Sequence, residues 1–100
     1  MNRKLESDER KSALEDLQTR GWSLVEDRDA IRKTFKFDSF VDAWGWMSKM
    51  AIEAEKLNHH PEWFNVYNKV IVELTTHDVD GLSNYDFQLA ARMEQLASGG

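Results

Sequence analysis

The chain has 100 residues, with 13 Lys plus Arg against 18 Asp plus Glu and a formal charge of −5. That length fits one ordinary domain, 1–100, which on folding removes roughly 65% of its surface from water. The acidic balance argues against a nucleic-acid phosphate binder, 41% apolar residues argue against wholesale disorder, and zero Cys excludes disulfides, thiolate metal sites and cysteine nucleophiles.

Met1 to Lys11 is heavily charged and carries no apolar run of signal-peptide length. No stretch approaches the roughly 18 apolar residues of a membrane span, so a soluble protein is expected. A reducing compartment is compatible with the missing Cys. Residues 1–6 and 98–100 are expected to be frayed tails.

Ser7 to Thr19 predicts a polar helix with Ala13, Leu14 and Leu17 on one side, ended by Gly21. Trp22 to Val25 and Ala30 to Phe37 predict strands around the charged turn Glu26-Asp27-Arg28-Asp29. In the second strand Ile31, Lys33, Phe35 and Phe37 share a face, opposite Arg32, Thr34 and Lys36.

The strongest helix follows. Its stripe is Phe40, Ala43, Trp44, Met47, Met50 or Ala51, and Ala54. Asp38 or Ser39 caps its start. It ends near Asn58, because Pro61 pushes His60 out of the helical region.

Lys69 to Thr75 has the β-branched density of a buried strand, with Val70, Val72 and Leu74 facing one way and Ile71 the other. After Gly81 a last helix runs from Ser83 to about Ala97. Its stripe is Leu89, Ala90, Met93 and Leu96, and Ser83 with Asp86 forms a capping box. Helices packed on one face of an antiparallel sheet, an α+β architecture, is the expected fold.

All three histidines fall between positions 59 and 77. Imidazole exchanges protons near neutral pH without a large shift, so His59, His60 and His77 at element ends suggest proton-transfer chemistry. Glu55 lies four residues before His59, where a continued helix would set its carboxylate beside the ring. The plainer alternative, a histidine favoured by the helix macrodipole, stays open. A metal is not expected: adjacent histidines rarely reach one ion, and His-Glu-x-x-His spacing is missing.

The aromatics of Pro61-Glu62-Trp63-Phe64-Asn65-Val66-Tyr67 read equally as core or as the wall of a flat heterocycle site. Asp86 reads first as a capping carboxylate. There is no glycine-rich phosphate loop, no nucleophile elbow and no EF-hand loop.

Together these residues resemble the pterin-4a-carbinolamine dehydratase family. Its signature is a Glu, three residues, His-His-Pro, five residues to an aromatic, nine to a His and eight to an Asp. Glu55, His59-His60-Pro61, Tyr67, His77 and Asp86 keep every spacing. The run from Ala54 to Val70 looks like animal members almost letter for letter, and Gly21-Trp22, Arg28-Asp29-Ala30-Ile31 and Gly81-Leu82-Ser83 agree.

The resemblance implies a four-stranded antiparallel sheet backed by helices, in which Asn65–Tyr67 either joins a bent strand running to Thr76 or pairs separately. It implies a homodimer or homotetramer. It implies dehydration of 4a-hydroxytetrahydropterin (as 4a-hydroxytetrahydrobiopterin) to quinonoid dihydropterin, in recycling the pterin of aromatic amino acid hydroxylases, with no cofactor.

His59, His60 and His77 are then the catalytic trio, with His59 and His77 as the proton-transfer pair and His60 holding the substrate's polar edge. Glu55 orients His59 or bonds the pterin, Pro61 and Trp63 form the wall, and Asp86 orients His77. Animal members also serve as dimerisation cofactors of a homeodomain transcription factor. That alternative role adds a protein partner and a nuclear location to a cytoplasmic one, without direct nucleic-acid or membrane contact.

Overall fold

A computed structural model describes residues 7–97. The tails expected to fray, 1–6 and 98–100, lie outside the described residues. The elements run α1 (Ser7–Gln18), β1 (Ser23–Leu24), β2 (Ile31–Lys36), α2 (Phe40–Leu57), β3 (Glu62–Val66), β4 (Lys69–Leu74), a single 3₁₀ turn His77–Val79, and α3 (Asn84–Ala97). The strands form one antiparallel sheet in the order β1-β2-β4-β3. This is the expected α+β fold, with helices against one face.

Strand alternation decides which face the helices cover. Ile31 and Phe35 of β2 and Val70, Val72 and Leu74 of β4 are buried on the inner face. Each such side chain contributes on the order of 1.5–3 kcal/mol on leaving water. Leu17 of α1, Met50 of α2, and Leu89 and Met93 of α3 complete the core.

Helix α2 starts where Ser39 accepts a hydrogen bond from the Asp42 amide at 3.0 Å, one of the two expected caps. Its buried stripe is Ala43, Trp46, Met50 and Ala54. That corrects the expected stripe at two positions, since Phe40 is 49% and Trp44 58% exposed. The helix is rotated so that Trp46, not Trp44, enters the core. There it meets Phe35 at 4.6 Å and Phe37 at 5.2 Å between ring centroids, and its Nε1 donates to the Met93 carbonyl at 3.2 Å. Tryptophan combines a large apolar body with one donor, and only position 46 satisfies both.

Of the two possibilities for Asn65–Tyr67, separate pairing is found. β3 folds back on β4 through Tyr67-Asn68, and the ladder closes at Val66 and Lys69. Tyr67 takes φ +51°, and Asn65 Nδ2 holds the turn by donating to the carbonyls of Tyr67 at 3.2 Å and Lys69 at 2.8 Å. No helix among the described residues is long and apolar enough to cross a membrane.

Candidate active site

Three segments converge at one end of the sheet: the exit of α2, the start of β3 and the loop after β4. They enclose a cleft of about 380 Å³ whose lining includes His59, His60, Pro61, Glu62, Thr76 and His77. That volume suits one small ring system. A groove of similar size between α1 and α3, lined in part by Leu17, Phe87 and Ala91, carries no histidine.

The end of α2 sets the two adjacent imidazoles apart. Asn58 adopts the left-handed conformation, φ +52° and ψ +43°, a common helix terminator. Its amide returns to Glu55 at 3.1 Å, and the His59 amide returns to Ala54 at 3.0 Å. The chain therefore leaves the helical track before His59. That ring turns inward, to 9% exposure, while His60 stays outside.

This reversal corrects the expected partner of Glu55. A continued helix would pair it with His59, but its Oε1 lies 2.8 Å from Nε2 of His60, on an exposed surface. Glu55 itself stands outside the cleft lining.

His59 is held by Asp86 instead. Its Nε2 lies 2.6 Å from Asp86 Oδ1, and Asp86 is fully buried. The other oxygen, Oδ2, accepts from the Ser83 amide at 2.8 Å and from Thr76 Oγ1 at 2.7 Å. With the Thr76 proton so used, the Ser83 hydroxyl donates to Thr76 at 2.6 Å and in turn accepts from the Tyr85 amide at 3.2 Å. Asp86 thus caps α3, as its spacing from Ser83 predicts, and grips an imidazole at the same time. That imidazole belongs to His59. The expectation that Asp86 orients His77 is corrected, because its two oxygens are taken by His59, Thr76 and Ser83.

Because every neighbour of Asp86 donates, the network assigns a proton to Nε2 of His59. No buried side-chain nitrogen or oxygen among the described residues lacks a partner. With Nε2 engaged by Asp86, Nδ1 is the ring nitrogen of His59 left for exchange where the residue lines the cleft.

His77 follows the buried Thr76 and stands at the rim with its side chain 86% exposed. Glu62 lies beside it, with Oε2 at 3.9 Å from Nε2. Arg28 grips Glu62 by two bonds, 2.6 and 3.1 Å, and reaches Glu73 at 2.7 Å. Those bonds hold the Glu62 carboxyl below its ordinary range against the opposing effect of burial. The paired carboxylates push the Arg28 guanidinium still higher.

Each imidazole therefore faces its own carboxylate: His59 and Asp86, His60 and Glu55, His77 and Glu62. Sequence reasoning missed Glu62, although it directly follows the His-His-Pro run. Nothing in the linear chain joins it to Arg28, 34 positions earlier.

Pro61 lines the cleft and Trp63 does not. Strand alternation sends Trp63 to the inner face, where its ring lies 6.3 Å from that of Trp46. Among the described residues, no group of three or more His, Asp or Glu side chains is arranged to hold a metal ion.

The chain and its fold have counterparts among known proteins. A relative from Roseobacter denitrificans is 60% identical over 97 residues, covering 97% of this chain and 99% of its own. One from Ruegeria pomeroyi is 57% identical over 96 residues, covering 96% and 99%. Both carry the name pterin-4-alpha-carbinolamine dehydratase as a provisional one. The crystal structure of a transcriptional coactivator/pterin dehydratase from Brucella melitensis superposes with a TM-score of 0.87 at 44% identity, covering 95% of this chain and 99% of that one. The model of the pterin 4 alpha carbinolamine dehydratase family matches residues 3–96, a span that takes in all three imidazoles and their carboxylates. This chain belongs to that family.

Proposed function

We propose that this chain dehydrates 4a-hydroxytetrahydropterin, the biopterin form included, to quinonoid dihydropterin by general acid–base catalysis with histidines alone. One observation carries the reading: three imidazoles line or rim one cleft, each facing a carboxylate.

The reaction needs little more. A ring N–H gives up its proton, its electron pair forms the C=N bond, and the C–O bond breaks as the hydroxyl takes a proton and leaves as water. No electrons are gained or lost. One base and one acid suffice.

His59 serves as the base. Asp86 engages its Nε2 proton, so exchange with substrate runs through Nδ1, and the buried carboxylate stabilises the imidazolium that forms. His77 serves as the acid, at the opposite rim beside ionised Glu62. His60, oriented by Glu55, grips the polar edge of the pterin, and Pro61 provides an apolar wall.

The test is turnover of 4a-hydroxytetrahydropterin by purified protein, with and without exhaustive chelation. Equal activity in both conditions is expected. Inactivity, or loss of activity that zinc restores, would overturn the reading.

A protein-binding role is the second reading, favoured by the apolar residues that α2 leaves outside, Phe40, Val41 and Trp44. The Brucella relative is described as a coactivator as well as a dehydratase. A surface of this kind suits a second copy of the chain or a transcription-factor dimerisation helix. Co-purification with such a factor would test the latter.

A further inference from the structure

We infer that Arg28 is a positioning residue for the proposed dehydration, acting through Glu62 on His77. The inference rests on the reading of His77 as a proton-transfer group.

His77 poses a physical problem that His59 does not. Its side chain is almost entirely exposed, and an exposed imidazole samples several rotamers, few of which suit a proton transfer. Neighbouring structure must supply the order. A carboxylate lies within reach, Glu62 at 3.9 Å, itself half exposed and in need of fixing.

Arg28 provides that fixing. Its guanidinium takes both oxygens of Glu62, a bidentate geometry that restricts the carboxylate in direction as well as place. The third bond, to Glu73 on β4, ties the guanidinium to the middle of the sheet. Glu62 is also held ionised, so it presents a permanent anion toward the imidazole.

The neighbouring residue joins the same turn to the loop that carries His77. The Asp29 carbonyl accepts from Thr75 Oγ1 at 2.9 Å, before His77. Its side-chain Oδ2 accepts from the Leu82 amide at 3.0 Å, after it. Asp29 also takes two bonds from Arg10 of α1, 2.6 and 3.1 Å. Between those anchors the loop closes on itself through a bridge of Thr76 to Gly81. The approach is so close that a Cβ on Gly81 would stand 2.4 Å from Asp29 Oδ2. The turn bearing Arg28 and the loop bearing His77 therefore form one rigid unit, and Arg28 sets the anion at a fixed place relative to the ring.

The experiment is a double-mutant cycle in the full chain, read as steady-state turnover of 4a-hydroxytetrahydropterin. Arg28→Gln is expected to lower kcat by about 10- to 100-fold with KM within about twofold, the size of loss a small misplacement of a reacting group causes. Glu62→Gln, a near-isosteric change at a half-exposed position, is expected to do the same from the other side of the pair. In a His77→Ala background both losses should shrink below about twofold, since a positioning residue has nothing left to position. Normal turnover in both variants, or an equal loss with and without His77, overturns the inference. Normal turnover of His77→Ala alone overturns instead the underlying reading of His77, which keeps the two failures distinct.

Discussion

Nε2 of His59 lies 2.6 Å from Oδ1 of Asp86, and the same carboxylate accepts the Ser83 amide that opens α3. The helix cap and the candidate base are thus served by one buried side chain. A residue so placed couples stability to chemistry, and its removal should damage both.

Asp86→Ala would leave the Ser83 amide, the Thr76 hydroxyl and His59 Nε2 without their acceptor. Buried groups orphaned in this way cost about 1–3 kcal/mol each, and relaxation recovers part of it. A net loss of about 3 kcal/mol is expected, together with a large fall in turnover. Urea denaturation of the variant against the parent gives the number. A loss under about 1 kcal/mol would show that the network does not hold α3 in place.

The histidines should separate by burial. His77→Ala is expected to lower turnover by about 10²–10⁴-fold while leaving stability within about 0.5 kcal/mol, because its side chain is solvated. His59→Ala should lower turnover similarly and also cost about 1–3 kcal/mol, since it strips a partner from buried Asp86. His60→Ala should chiefly raise KM, because a group that grips ground and transition states equally affects binding more than chemistry. Kinetics and a melting curve on each variant check all three, and normal turnover in both His59→Ala and His77→Ala would sink the catalytic assignment.

Stability should depend on pH through Arg28 and Glu62. Glu62 has a folded pKa depressed below 4.5, chiefly by its hydrogen bonds from Arg28. A depressed carboxylate contributes stability above its unfolded pKa and loses it as pH falls through the folded value. The contribution is therefore expected to be complete at neutral pH and to decline progressively as the pH falls below about 4.5. It is small, since Glu62 is half exposed and screened by water. Denaturation midpoints from pH 7 down to pH 3 should fall less steeply for Arg28→Gln than for the parent. Parallel curves would mean that the pair contributes nothing.

A closed homo-oligomer, a dimer or a dimer of dimers, is expected in solution. α2 exposes Val41 at 76% and Trp44 at 58%, and the edge strand β3 exposes Phe64 at 62%. Apolar side chains gathered on a helix and on an unpaired edge are an unfavourable surface for a monomer. Light scattering at micromolar concentration should report a multiple of 11.7 kDa, and Trp44→Glu should reduce it if α2 forms a contact. A monomeric mass for the parent would refute this.

The α+β class, the order of the three helices with β1, β2 and β4, and the alternation of β2 and β4 were legible in the linear chain, because period-2 and period-3.6 burial are local properties; β3 was implied only by the family resemblance. So was the candidate trio of histidines, whose spacing to Glu55, Pro61 and Asp86 carried the family resemblance. The double duty of Asp86 was half legible: its spacing to Ser83 announced the cap but not the imidazole it would hold. The pairings were decided by the fold. One left-handed residue, Asn58, turned His59 inward and handed Glu55 to His60, and a single φ of +52° leaves no periodic trace. The choice of Trp46 over Trp44 needed the positions of Phe35, Phe37 and Met93, which lie on two other elements. Arg28, Glu62 and His77 meet only because the β1–β2 turn, the start of β3 and the loop after β4 arrive at the same end of the sheet. Local sequence determines which elements form and which face each buries. Contacts between distant elements depend on how those faces are stacked, and here that stacking decided which carboxylate each imidazole faces.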